Sequence, residues 1–177
     1  KQEKKMLLEA RVIVAGILVF FTGLYFLNII PPVPLSVKTI GVYHSLSRNA
    51  DGNYAVSYEP PAWFVFWRET AATFTYRSGE DAYCFSSVFA PTELGASIRH
   101  RWEKYNPDTK KWQGHSLISF PINGGRAGGY RGWSLSTDLT AGDWRCDVET
   151  KNGALIGRIS FTVVESSTTP ILSQTTL

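Results

Sequence analysis

The chain has 177 residues, of which 44% are hydrophobic, 19% charged and 14% aromatic, and its formal net charge is +3. That length holds one globular domain plus a membrane segment but not two full domains, and the composition excludes wholesale disorder. Beyond Arg11 the lysines and arginines are scattered rather than gathered into a stripe, which excludes nucleic acid as an expected partner.

Residues 1–11 form a basic flank containing Lys1, Lys4, Lys5 and Arg11. The next stretch, 12–30, reads VIVAGILVFFTGLYFLNII, nineteen residues without a charge. At about 1.5 Å per residue it covers about 28 Å, close to the thickness of a bilayer's hydrocarbon core, so it predicts one transmembrane helix. A secretory signal would have a shorter apolar core and a small-residue cleavage site, whereas this run ends at Pro31 and Pro32. Only Lys38 follows closely, so the positive-inside rule puts the basic flank in the cytoplasm and the remainder across the bilayer. Gly16 and Gly23 lie two turns apart on nearly one face, a pattern open both to a homo-oligomer through the helix and to ordinary membrane glycine. The chain starts at Lys1 without an initiator Met, which leaves room for further spans before it.

After a proline-rich linker at 31–36 the pattern changes to short alternating segments divided by turn residues, the signature of strands. Residues 37–45 and 54–58 flank Asp51-Gly52 and predict a hairpin. A strand is expected at 82–89, and a second hairpin joins 96–105 to 112–120 through Asn-Pro-Asp-Thr. A third joins 144–149 to 155–164 through a turn containing Asn152-Gly153, with Leu155, Gly157, Ile159, Phe161 and Val163 on one face and Arg158, Ser160 and Thr162 on the other. These predict an all-β domain over 37–164, an antiparallel sandwich of six to eight strands, immunoglobulin-like or related, with a barrel as the alternative. Residues 165–177 lack a period, are rich in Ser and Thr, and predict a disordered tail.

Several groups could carry chemistry. Cys84 and Cys146 are the only cysteines and fall on separate expected strands. Joined, they would stabilise by roughly 3–4 kcal/mol on the loop-entropy model; unjoined, they would pack as buried thiols. Two lone cysteines make no metal site, and no cofactor motif accompanies them. His44, His100 and His115 lack a zinc-ligand pattern or nucleophile elbow, so no catalytic residue is assigned, and His100, in phase with Ile98 and Trp102, is expected at the edge of the core. Trp102 and Trp112 are expected in the core as well, Trp112 in phase with Ile118 and Phe120. The run Gly124 to Gly132 is no phosphate loop. Its Arg126, Tyr130 and Arg131, with Trp133, form either a surface for an anionic or sugar ligand or a wide turn with arginines stacked on aromatic rings. Trp63, Phe64, Phe66 and Trp67 suit either the membrane–water interface or a strand buried on both faces.

From about residue 86 to 164, the chain carries Phe89-Ala90-Pro91, His100-Arg101-Trp102, Gly124-Gly125-Arg126-Ala127-Gly128-Gly129-Tyr130-Arg131, Ser134, Gly142-Asp143-Trp144-Arg145 and Gly157-Arg158-Ile159-Ser160-Phe161-Thr162-Val163. In this order they resemble the bacterial domain-of-unknown-function family numbered 2914. The resemblance implies an exported β-domain after membrane helices in a bacterium, and no established activity. Cys146 departs from it, standing where a small or branched apolar residue is expected. The resulting expectation is an inner-membrane protein whose periplasmic or extracellular domain binds an envelope protein or glycan and does no catalysis. The alternative is part of an envelope enzyme whose catalytic residues lie upstream or in an unrecognised pocket.

Overall fold

The computed structural model describes residues 2–26, 35–65, 68–77, 79–89, 96–122 and 129–177. They fall into two units, Lys1–Pro34 and Leu35–Leu177. The first holds α1, Gln2–Phe26, within which Lys4–Leu24 is long and apolar enough to cross a membrane by length and composition. The basic flank expected at 1–11 is therefore no separate segment: Glu, Lys, Met, Leu and Ala are good helix formers, and the helix runs through them from Gln2. The expected end of the span at 27–30 and most of the linker, 31–34, lie outside the described residues.

The second unit is built from eleven described strands: β1 Ser36–Tyr43, β2 Ser45–Arg48, β3 Tyr54–Tyr58, β4 Thr73–Tyr76, β5 Ala82–Phe89, β6 Ala96–Asn106, β7 Lys111–Ile122, β8 Tyr130–Ser136, β9 Gly142–Thr150, β10 Leu155–Glu165 and β11 Ser173–Thr176. They make three sheets, ordered β1-β5-β8, β4-β10-β9-β6-β7 and β11-β3-β2. All pairings are antiparallel except β10 with β4. The first two sheets enclose the main core, and the third covers the other face of the first through Tyr43, Val56 and Phe85. β5 is thus buried on both sides, which explains why Cys84, Phe85, Ser86, Ser87 and Val88 are all inaccessible.

The link between the two main sheets is covalent. Cys84 on β5 is bonded to Cys146 on β9, and Trp102, the neighbour of Cys146 across β6 and β9, is fully buried in the same cluster. A disulfide between sheets with a Trp packed against it is an immunoglobulin-type arrangement, and the domain is an immunoglobulin-like β-sandwich. Beside it lies a polar set. His100, inside the core rather than at its edge, has Nδ1 2.8 Å from Ser134 Oγ and Nε2 2.8 Å from Ser86 Oγ, while Trp102 Nε1 donates to Ser134 Oγ at 2.9 Å. Serine hydroxyls can donate or accept, so this set satisfies a neutral imidazole buried between sheets.

Several expected elements are placed differently. The strand expected over 37–45 is broken at His44: β1 pairs with β5, and only β2 forms the hairpin with β3. The tail at 165–177 is not disordered, since β11 pairs with β3 and Leu177 exchanges backbone hydrogen bonds with Tyr54. The polar sequence Ser-Gln-Thr-Thr fills an edge strand with little side-chain burial, and so leaves no apolar period to read. Trp112 is displaced by a bulge. Opposite Trp102 and Glu103 the partner jumps from Ser116 to Gly114, so His115 is the extra residue and every side chain before it changes face. Trp112 therefore lies on the outer face, under the Arg145 guanidinium at 4.3 Å from its ring centroid. Trp63 and Phe64 form an exposed turn rather than part of a buried strand, and Phe66 and Trp67 lie outside the described residues.

Two measurements test this core. Burial lowers the pKa of His100 to about 4, against about 6.5 in an unfolded chain. Between those values the unfolded chain takes up a proton that the folded chain refuses, so stability is fully present above pH 6.5 and falls as the pH is lowered. The loss is on the order of 3 kcal/mol in all, with about 2 kcal/mol gone by pH 5. Urea midpoints recorded from pH 7.5 to 5 should show that slope, and His100→Gln should flatten it whatever it does to the midpoint at neutral pH. In β8, a Cβ on Gly132 would stand 2.2 Å from Cε2 of Phe120. Gly132→Ala should therefore lower stability by about 1–3 kcal/mol, read as a drop in the urea midpoint.

Candidate functional site

The residues singled out around the glycine-rich run reach different places. Along β8 the alternation turns Tyr130 inward and Arg131 and Trp133 outward. Tyr130 packs with Val88, Ile98 and Val148, so its ring is part of the core, while the residue also borders the groove that Arg131 defines and its hydroxyl has no hydrogen-bond partner among the described residues. Trp133 lies against Tyr83 with ring centroids 5.9 Å apart. Arg126 lies outside the described residues. Gly129 performs the turn into β8: its φ is +82°, and an added Cβ would meet Ser87 Oγ at 2.6 Å, so both backbone shape and space require glycine.

Arg131 is the residue that defines a groove. Its Nη1 donates to Asn53 Oδ1 at 3.0 Å and to the backbone oxygen of Leu177 at 3.2 Å, which fixes the guanidinium over the β2–β3 turn instead of stacking it on an aromatic ring. Arg48, Asp51, Asn53, Tyr54, Gly129 and Arg131 line a groove of about 430 Å³ there. Arg48 has no ion-pair partner among the described residues. Two guanidinium groups with an amide, a phenol and one carboxylate offer both donors and acceptors, the equipment for an anionic or hydroxyl-rich ligand. Arg48 and Asn53 were invisible as site residues in sequence, because they sit on a hairpin some eighty positions from Arg131 and meet it only through β11 and the sheet packing.

Elsewhere among the described residues many charged groups pair with one another, while the hydroxyls of Thr70, Ser116 and Ser136 are buried without a hydrogen-bond partner. His44 Nε2 lies 3.0 Å from Glu59 Oε1 with its ring stacked on Phe74, and His115 meets the edge of Trp144. Among the described residues neither is hydrogen-bonded to a serine, and the Ser86–His100 contact is sealed from solvent. Cys84, His100 and Cys146 lie close enough to hold a metal, but the sulfurs are joined to each other and serine hydroxyls engage both imidazole nitrogens. On the outer face of the five-stranded sheet, Arg99 and Arg101 bond Glu149, Arg145 bonds Glu103, and Arg158 bonds Asp147 with both a 2.6 Å and a 2.5 Å contact. Burial opposes ionisation of Glu149, and the hydrogen bonds and charges of Arg101 and Arg99 overcome it, leaving its carboxyl below the ordinary range. Such a ladder covers and orients the sheet and leaves few free valences for a ligand.

The chain resembles two solved structures at low identity. One is an immunoglobulin-like protein from Pseudomonas aeruginosa, 11% identical, with 76% of this chain and 99% of that one covered at a TM-score of 0.40. The other is an alkylpurine DNA glycosylase from Pseudomonas fluorescens in a complex with DNA, 13% identical at a TM-score of 0.43, where the match spans 80% of this chain and 33% of the enzyme. No curated protein matches. Residues 95–163, which hold the whole arginine–carboxylate ladder, match the family described as Protein of unknown function (DUF2914).

Proposed function

We propose that this chain is a membrane-anchored envelope module of a bacterium. In this reading α1 spans the inner membrane with its basic start in the cytoplasm, and the sandwich on the far side binds an anionic or hydroxyl-rich envelope ligand, a glycan or a protein. The observation that carries the binding role is the groove in which Arg131, held by Asn53 and Leu177, stands with Arg48, which has no ion-pair partner among the described residues. A guanidinium already fixed in place loses little entropy on meeting a ligand, which favours recognition there. Export is supported by the Cys84–Cys146 bond, because disulfides persist in oxidising compartments, and by the lysines and arginine ahead of the apolar run. Catalysis has less support: the three histidines are committed to core or surface packing, and none pairs with an exposed nucleophile among the described residues.

Both halves of the reading are testable. With the native cysteines bonded to each other, Thr109→Cys on the exposed β6–β7 turn supplies one reactive thiol. An impermeant maleimide should label it in intact spheroplasts; labelling only after lysis would place the domain in the cytoplasm and defeat the export reading. For the groove, the solubilised full chain should co-sediment with isolated peptidoglycan sacculi. Arg48→Ala and Arg131→Ala should each weaken that binding about tenfold, the effect of one charge-assisted contact of about 1.4 kcal/mol. Unchanged sedimentation in the double variant would remove the groove from consideration.

A further inference from the structure

Trp133 is 43% exposed and stands on the same outward face of β8 as Arg131, two positions away, or about 7 Å along an extended strand. Its partner across the strands is Phe85, whose ring centroid lies 5.4 Å from that of Tyr54, and Tyr54 lines the groove that holds Arg131. This chain of neighbours places Trp133 beside the groove. The indole is also held in place, because Tyr83 lies against it with ring centroids 5.9 Å apart and the planes tilted by 50°. A flat apolar ring, half open to water and next to a fixed guanidinium, makes a stacking platform beside an anion contact.

The other groups in the groove select the ligand. Two guanidinium groups, Arg48 and Arg131, stand there against one carboxylate, Asp51, an excess of positive charge that suits an acid group. Arg48 lies over the β2–β3 turn, where a Cβ on Gly52 would come 3.6 Å from its Nη2. Asp51 has no ion-pair partner among the described residues. A carboxylate only accepts hydrogen bonds, so it suits the hydroxyls of a ligand and would repel a bare inorganic anion. The volume of about 430 Å³ falls within the roughly 300–1,000 Å³ of small-ligand sites. A protein interface would instead gather an apolar centre depleted of charge. A sugar carries hydroxyls around its edge and C–H groups on its faces, and those C–H groups meet the electron-rich face of an indole favourably. We infer that the groove and Trp133 form one subsite for an acidic glycan. The carboxylate or phosphate of a sugar sits on Arg131 and Arg48, its hydroxyls reach Asp51, and a ring stacks on Trp133. This rests on the reading of the groove as a binding site, and it narrows the ligand to one that is anionic and hydroxyl-rich at once.

The test applies the solubilised full chain to an array of oligosaccharides on which each carboxylated or phosphorylated member is printed beside its neutral counterpart. At least one acidic member should bind about tenfold more tightly than its counterpart, and whether that member is carboxylated or phosphorylated identifies the acid group. Trp133→Ala should weaken this binding about tenfold, and Trp133→Phe should recover most of the loss, since a phenyl ring keeps a stacking face. The side chain is half exposed, so neither change empties the core. An array on which no acidic member binds above its neutral counterpart overturns the inference. Polyglutamate binding as tightly as the best acidic glycan also overturns it, because the occupant is then an acidic peptide. Binding that Arg131→Ala weakens and Trp133→Ala leaves unchanged defeats the inference and keeps the groove as an anion site. Binding that is insensitive to Arg48→Ala, Arg131→Ala and Trp133→Ala alike defeats both this inference and the groove reading.

Discussion

The sandwich depends on the meeting of β5 and β9 across its core, where the Cys84–Cys146 bond, the buried Trp102 and the imidazole of His100 occupy one layer. Two sheets held by apolar packing alone could slide or rotate at modest cost. A covalent bond sets one point of contact, and the serine–histidine hydrogen bonds set the orientation around it, because an unmet buried imidazole nitrogen would cost more than a typical neutral hydrogen bond contributes. β5 can serve in this way because it is covered on both faces, by the five-stranded sheet on one side and by Tyr43, Val56 and their neighbours on the other.

From that layer the rest follows outward. On β9 the inward Trp144, Cys146 and Val148 alternate with Arg145, Asp147 and Glu149, so the residues that fix the core also place the ion pairs on the outer face. On β8 the inward Tyr130, Gly132 and Ser134 alternate with the outward Arg131 and Trp133. Arg131 is aimed at the β2–β3 turn because Ser134, three positions on, is bonded to His100. The candidate groove is therefore a consequence of how the core is arranged, and its guanidinium is positioned before any ligand arrives.

Much of this architecture was legible where side chains alternate without interruption. The third hairpin could be read directly over most of its length, since Ile159, Phe161 and Val163 form an apolar face and Asn152-Gly153 a turn, with Gly153 at φ +85°. Leu155, expected on that face, is exposed because the register shifts between it and Gly157. Reading failed where one residue changed the phase or where pairing came from far away. The bulge at His115 sent Trp112 to the opposite face from Phe120, and nothing local announces an inserted residue of ordinary type. β8 was hidden because Gly132, which admits the Phe120 ring, made the segment look like a turn. β11 has no buried period, and its partner β3 lies more than a hundred positions earlier. The groove was half visible for the same reason: Arg131 stood out by composition, whereas Arg48 and Asn53 join it only through long-range pairing.

The position of the cross-link has a mechanical side. In a chain held at its N-terminal helix, a pull on the domain enters at β1, which is zipped antiparallel to β5, and β5 is bonded to β9. Force can peel β1 away but cannot draw out the segment between the two sulfurs, 62 positions apart. About 210 Å of contour length is thereby withheld from extension. Under load, the five-stranded sheet would shed β4 and β10 while β6 to β8 stayed inside a closed loop, so the larger part of residues 95–163 would be kept from being drawn into a line.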